Sequence, residues 1–155
     1  MYQRELIAIL RNDLCLKPAR CPNKEDLGRS VASQYLIRHG DLKNFTREEI
    51  LIIANIARYH RKDKPKSSHK QFSKLSPSAK QVVKVGAALL RVADGLDRSH
   101  SGVVTGLSCR MTRKRVEITL KPRGDAELEL WGARSKRDFF SDVVGKSLRF
   151  KVSPR

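Results

Sequence analysis

From Ser76 to Met111 the chain reads SPSAKQVVKVGAALLRVADGLDRSHSGVVTGLSCRM, and the fold class turns on a change of period inside this stretch. Ser76 followed by Pro77 is a helix start, because serine caps the first free N–H groups and proline suits the first helical position. Val82, Val83, Val85, Ala88, Leu89, Val92, Ala93 and Leu96 then recur at helical spacing and cover most of a circumference, which predicts a buried helix from about Ser78 to about Ser99. After Ser101-Gly102 the apolar residues alternate instead. Val103 to Met111, Arg115 to Leu120 and Ala126 to Trp131 are expected as strands, separated by turns at Thr112 to Lys114 and Pro122 to Asp125. Ser135 to Val144, carrying Phe139, Phe140 and Val143, reads as a short amphipathic helix stopped by Gly145, and Ser147 to Val152 as a last strand.

Working upstream, Asp63 to Leu75 is polar and basic, contains Pro65 and Ser67-Ser68, and is expected as a loop. Before it, Thr46 with Glu48 and Glu49 opens a helix whose run Ile50 to Tyr59 is apolar on nearly every side, as the centre of a bundle requires. Val31, Ala32, Tyr35 and Leu36 suit a helix over Arg29 to Arg38, stopped at His39-Gly40. Residues 1–28 show little periodicity beyond a short helix near Glu5 to Asp13 and a turn-rich patch from Lys17 to Asn23. The expected architecture is mainly α with an α+β appendage: a helical domain over residues 1–101, then a small mixed sheet with one helix over residues 102–155.

With 155 residues the chain is one domain, or one domain and a small appendage. Its 33 Lys and Arg against 16 Asp and Glu give a formal net charge of +17, which raises the local concentration of any polyanion, whether nucleic acid, acidic lipid or phosphate polymer. The longest apolar stretches, Ile50 to Ala57 and Val82 to Ala93, are broken by Asn55, Lys84 and Arg91 and fall short of the roughly 20 residues of a membrane span. Met1 leads directly into the mixed segment Tyr2 to Leu10 without the pattern of a signal peptide, so a cytoplasmic home is expected. Cys15, Cys21 and Cys109 are odd in number and scattered, which suits reduced thiols better than a disulfide framework or a zinc site.

Two groups of residues could carry chemistry. Asp94 and Asp97 lie three apart on one helix face, and burying them would demand a partner: Arg58, Arg91 or Arg98 as counter-ion, or a divalent metal held by His60 and Asp94. The second group is the row Arg58, His60, Arg61, Lys62, Lys64, Lys66, His69, Lys70 and Lys74, interrupted by the single acid Asp63, which could track a chain of phosphates or be a solvated loop. Arg110, Arg113, Lys114, Arg115, Lys121 and Arg123 could continue such a surface. Tyr59, Phe72, Trp131, Phe139 and Phe140 are not spaced as a stacking platform for bases. No Gly-rich phosphate loop follows a strand, and no Ser, His and acid set forms a nucleophile.

The segments Ala57 to Lys62, Leu75-Ser76 and Leu90 to His100 resemble the C-terminal region of the exopolyphosphatase and guanosine pentaphosphate phosphohydrolase family. The resemblance runs upstream through Ser33 to Ile37 and Phe45 to Glu49, and downstream through Glu127 to Trp131, Phe139-Phe140 and Gly145 to Phe150, covering about residues 29 to 152. It implies an HD-like helical bundle followed by the α+β subdomain, with phosphate hydrolysis belonging to actin-like catalytic domains that this chain lacks. An intact HD site would show a His-Asp pair where this chain has Leu10-Arg11-Asn12-Asp13-Leu14, and further histidines where it has Asp26 to Ala32, so the resemblance implies a degenerate metal site.

The expected function is therefore a polyphosphate-binding or regulatory module, not catalytic alone. Phosphate contacts are expected from Arg58, His60, Arg61, Lys62, Lys64, Lys66, Arg91 and Arg98. The expected partners are polyphosphate or another polyanion, an actin-like catalytic domain in cis or in trans, and a second copy in a homodimer. No cofactor is expected, except a divalent metal at His60 and Asp94 if the chain is a residual HD-type phosphohydrolase. Binding of nucleic acid through the net charge is the third reading.

Overall fold

The computed structural model describes residues 34–153 apart from 36, 41 and 62. Sequence expectations for residues 1–33, including the short helix near Glu5 and the first part of the Arg29 to Arg38 helix, lie outside the described residues. The chain divides into two compact units, one ending at Val83 and the other beginning at Lys84.

In the first unit, 34–39 are helical around residue 36 and a bend follows at Gly40. Helix α1 (Arg47–Tyr59) starts as its sequence requires: the Thr46 hydroxyl accepts a hydrogen bond from the Glu49 N–H at 3.3 Å, and the Glu49 carboxylate accepts from the Thr46 N–H at 2.7 Å. Each group satisfies a donor the other leaves open, and these bonds hold the Glu49 carboxyl below its usual range. Ala54 and Ala57 of α1 pack with Ile37 into a small core, flanked by Leu42, Ile50 and Ile53. Inside the expected basic loop the chain forms a short helix, α2 (Lys70–Ser73), because Phe72 and Leu75 are buried and tether that segment.

Helix α3 (Pro77–Leu96) begins at the expected cap, with the Ala79 N–H donating to the Ser76 hydroxyl at 3.2 Å. It is not buried on most of its circumference. Val82 and Leu89, seven residues apart and so on one face, are 51% and 54% exposed, whereas Ala79, Val83, Ala87, Ala88, Val92 and Leu96 are buried.

In the second unit α3 runs into β1 (Val104–Met111), β2 (Arg115–Pro122), α4 (Glu127–Arg134), α5 (Arg137–Val144) and β3 (Ser147–Val152). His100 at φ 55° and Gly102 at φ 64° reverse the chain between α3 and β1. The sheet has the order β1-β2-β3, with β1 antiparallel and β3 parallel to β2, so the expected mixed sheet is present and the fold is α+β. Gly145 ends α5 in the left-handed region, at φ 69°. Helix α5 packs against β3, and Val116, Leu120, Leu148, Phe139 and Phe140 are buried in this unit, each such side chain contributing about 1.5–3 kcal/mol through loss of apolar surface to water.

The expected third strand over Ala126 to Trp131 is overturned: this segment is α4, so residues 102–153 hold two helices beside the sheet instead of one. Its alternation spans too few residues to exclude a helix, and non-local contacts decide the outcome. Asp125 accepts the Glu127 N–H at 2.9 Å, and Gly132 lies against the Gly95 backbone so closely that a Cβ on Gly132 would sit 2.6 Å from the Gly95 carbonyl oxygen. A strand would leave that approach unmade.

Candidate functional site

The basic residues expected to meet phosphate fall in both units. In the first unit α1 delivers Arg58 and His60 at its C-terminal end, and the segment running on to Leu75 delivers the rest. Arg61, Lys64, Lys66, Lys70 and Lys74 are exposed, and Lys62 lies outside the described residues. These cations extend from a fixed base, since Phe72 and Leu75 are buried and Tyr59, fully buried, meets His69 through its hydroxyl at 2.8 Å from Nδ1. The Tyr59 and His69 rings stack at 5.5 Å, and Phe72 meets Tyr59 edge-on at 5.9 Å. Burial, then the charge of Arg58, lowers the His69 pKa, while burial raises that of Tyr59; the tyrosine therefore donates and a neutral imidazole accepts.

Arg58 itself belongs to a buried polar network that the sequence reading missed. Its Nη1 donates to Gln34 Oε1 at 3.1 Å, the Gln34 amide donates to Asn55 Oδ1 at 3.0 Å, and Asn55 Nδ2 donates to the Leu51 carbonyl at 2.8 Å. Its Nε is buried without a hydrogen-bond partner among the described residues. The signal available in the sequence was Asn55, a lone amide in the apolar run Ile50 to Ala57, because a buried amide demands partners.

His60 Nδ1 donates to the Ala57 carbonyl, and its Nε2 accepts from Arg61 Nε at 3.2 Å, so both ring nitrogens are engaged. Among the described residues, no group of three or more His, Cys, Asp and Glu side chains is placed to hold a metal ion. Nor is any helix among them long and apolar enough to cross a membrane.

In the second unit, Arg91 is only 6% exposed and its guanidinium lies 4.5 Å from the centre of the Phe139 ring. Arg98 is exposed, Asp94 is half-buried, and Asp97 meets His100 Nδ1 at 3.4 Å. Among the described residues of this unit Glu129, on α4, is a buried acid. It accepts the Ser99 N–H at 3.1 Å, and hydrogen bonding from Ser99 holds its carboxyl below the usual range.

The second basic cluster is arranged by the sheet. Strand register places Arg110, Arg115, Lys121, Arg149 and Lys151 on one face, around Glu117, whose carboxyl a 3.0 Å bond from Lys151 holds low. Arg113 and Lys114 sit at the β1–β2 turn, and Arg123, beyond β2, donates to the Ser101 carbonyl at 3.0 Å. Trp131 is exposed on α4.

The family model for Ppx/GppA phosphatase, domain III, matches residues 29–129, a span that runs through the basic segment, α3, the β1–β2 hairpin and the first residues of α4. Among curated proteins none matches the chain. Since the matched span takes in more than half of its length, the protein belongs to the Ppx/GppA phosphatase domain III family.

Proposed function

We propose that this exopolyphosphatase-related protein is a polyphosphate-binding, regulatory module, with an HD-like helical part whose basic segment Arg61 to Lys74 is the phosphate track. One observation carries the reading: Arg61, Lys64, Lys66, Lys70 and Lys74 are exposed on a segment fastened beneath by Phe72, Leu75 and the Tyr59–His69 contact. A row of fixed cations meets a flexible polyanion without first paying for its own ordering. The aromatic groups of this segment are turned inward, Tyr59 and Phe72 both being buried, which favours a bare phosphate chain over stacked bases. In this reading the partners are polyphosphate, an actin-like catalytic domain in cis or in trans, and a second copy of the chain, and the setting is the cytoplasm. Arg58 and His60 hold the base of the track; Arg91 and Arg98 are proposed separately, as phosphate contacts of the second unit.

The test is calorimetric titration with polyphosphate of defined length at about 50 and 200 mM salt, with phosphate release and metal content followed on the same sample. Each phosphate contact adds about −0.7 to −0.9 to the slope of log K against log salt, so Lys64→Ala with Lys66→Ala should flatten the slope by roughly 1.5. Absence of binding sinks the proposal. Phosphate release that requires a divalent metal and is lost in His60→Ala and Asp94→Ala would replace it with an HD-type phosphohydrolase. Bound duplex DNA that polyphosphate fails to displace would replace it with nucleic-acid binding.

A further inference from the structure

Within the second unit a cavity of about 650 Å³ is lined by four consecutive residues of β3, Ser147, Leu148, Arg149 and Phe150. Alternate strand residues face opposite sides of a sheet, so a cavity that touches all four runs along the strand's edge. No β2 residue lines it, which makes this the outer edge, and among the described residues no strand pairs there. The Ser147 N–H donates to the Lys114 carbonyl and the Ser153 N–H to the Leu120 carbonyl, so the odd-numbered residues direct their backbone groups to the β2 side. In an unbroken register, Leu148, Phe150 and Val152 then turn their N–H and C=O groups outward. The opposite wall comes from α5 and the end of α4, with Arg134, Arg137, Asp138 and Ser141. With Arg149 the lining holds three arginines and one acid, Asp138, whose carboxylate lies 3.6 Å from Arg137 Nε.

We propose that this groove receives an extended acidic peptide segment of a partner protein, which adds to β3 as a further strand. Two features choose a peptide over a phosphate chain. The outward edge offers carbonyl acceptors as well as N–H donors, and only a ligand with its own donors satisfies the carbonyls. The two faces of the edge also differ, apolar at Leu148 and Phe150 and cationic at Arg149, so an added strand fits when its residues alternate between apolar and acidic. A second copy of this chain, at net charge +17, is electrostatically mismatched. In the absence of such a partner the same arginines discourage indiscriminate edge pairing, as charges on exposed edge strands generally do.

The experiment uses the full chain and a fluorescein-labelled peptide of alternating glutamate and valine, followed by anisotropy in about 0.1 M salt, where charges beyond roughly 10 Å are screened. Saturable binding is expected, with Arg149→Glu and Arg137→Glu each weakening it about tenfold or more and Lys84→Glu, at an exposed position on α3, leaving it unchanged. The same peptide N-methylated at alternate amides keeps its charge but loses the strand pairing, and should bind at least about tenfold more weakly. Bound peptide should also slow hydrogen exchange at the Leu148 and Phe150 amides. Equal binding of the methylated peptide, or unchanged exchange at those amides, overturns strand addition, and so does an absence of binding. Polyphosphate binding that disappears in Arg149→Glu while the peptide fails to bind would assign the groove to the phosphate chain and overturn the proposal as well.

Discussion

Replacing Gly95 by alanine tests the helix crossing that sets α4 in place. A Cβ at Gly95 would lie 2.7 Å from the Ala133 nitrogen and 2.7 Å from both the carbonyl carbon and oxygen of Gly132, each about 0.7 Å inside ordinary van der Waals contact. All three atoms are backbone, so no rotamer change relieves the clash and α4 must move away from α3. Overpacking of this kind costs about 1–3 kcal/mol, and contact with three backbone atoms puts Gly95→Ala at the upper end. Alanine's better helix propensity returns about 1 kcal/mol, leaving a net loss near 2 kcal/mol. For a protein of this size that corresponds to a fall in Tm of roughly 4–8 °C. Thermal unfolding followed by circular dichroism measures it, with Gly124→Ala as control, because nothing lies within 4 Å of a Cβ there. An unchanged or raised Tm in Gly95→Ala would mean that propensity alone governs the position, and would refute the close crossing.

Asn55→Ala should destabilise the first unit by about 1–3 kcal/mol in urea unfolding, because it leaves the Gln34 amide, 3% exposed, without its acceptor; a loss under about 0.5 kcal/mol would show the network to be dispensable. Stability should also fall as the pH drops below about 6.5. The folded-state pKa of His69 lies beneath its ordinary value of 6.5, so the unfolded chain binds the proton more readily, and the contribution is complete above that value and is lost on the way down towards the folded pKa. Urea midpoints at about pH 7.5 and 5.5 should differ more in the natural protein than in His69→Gln, and equal differences would remove His69 as the cause.

Where a single local signal determined the outcome, it could be read from the chain. Ser76-Pro77 starts α3, Gly145 ends α5, and the alternation of Ser147 to Val152 gives β3 with the expected bounds. Glu127 to Leu130 satisfied two periods at once, and the deciding contacts, Gly95 with Gly132 and Ser99 with Glu129, come from residues some 30 or more positions earlier in the chain, which local pattern does not reach. The same limit applies to Arg91. Its burial was not legible from its charge, although its neighbours at helical spacing, Ala87, Ala88 and Gly95, are small enough to leave room for a long side chain. The basic segment was legible as charge, but its anchoring was not, because that rests on Phe72, Leu75 and a contact between Tyr59 and His69 across the turn.

The central position of β2 also orders assembly in time. Its partner β1 is reached across only Thr112, Arg113 and Lys114, whereas β3 arrives after residues 123–146 and two helices have intervened. Closing the shorter loop costs less chain entropy, and non-local pairing is generally the slow step, so the hairpin is the natural seed and the β3 edge the last part of the sheet to exist. Until it docks, Val116 has no Leu148 beside it and Leu120 no Val152, and the strand that carries the arginine-lined groove is also the part completed last.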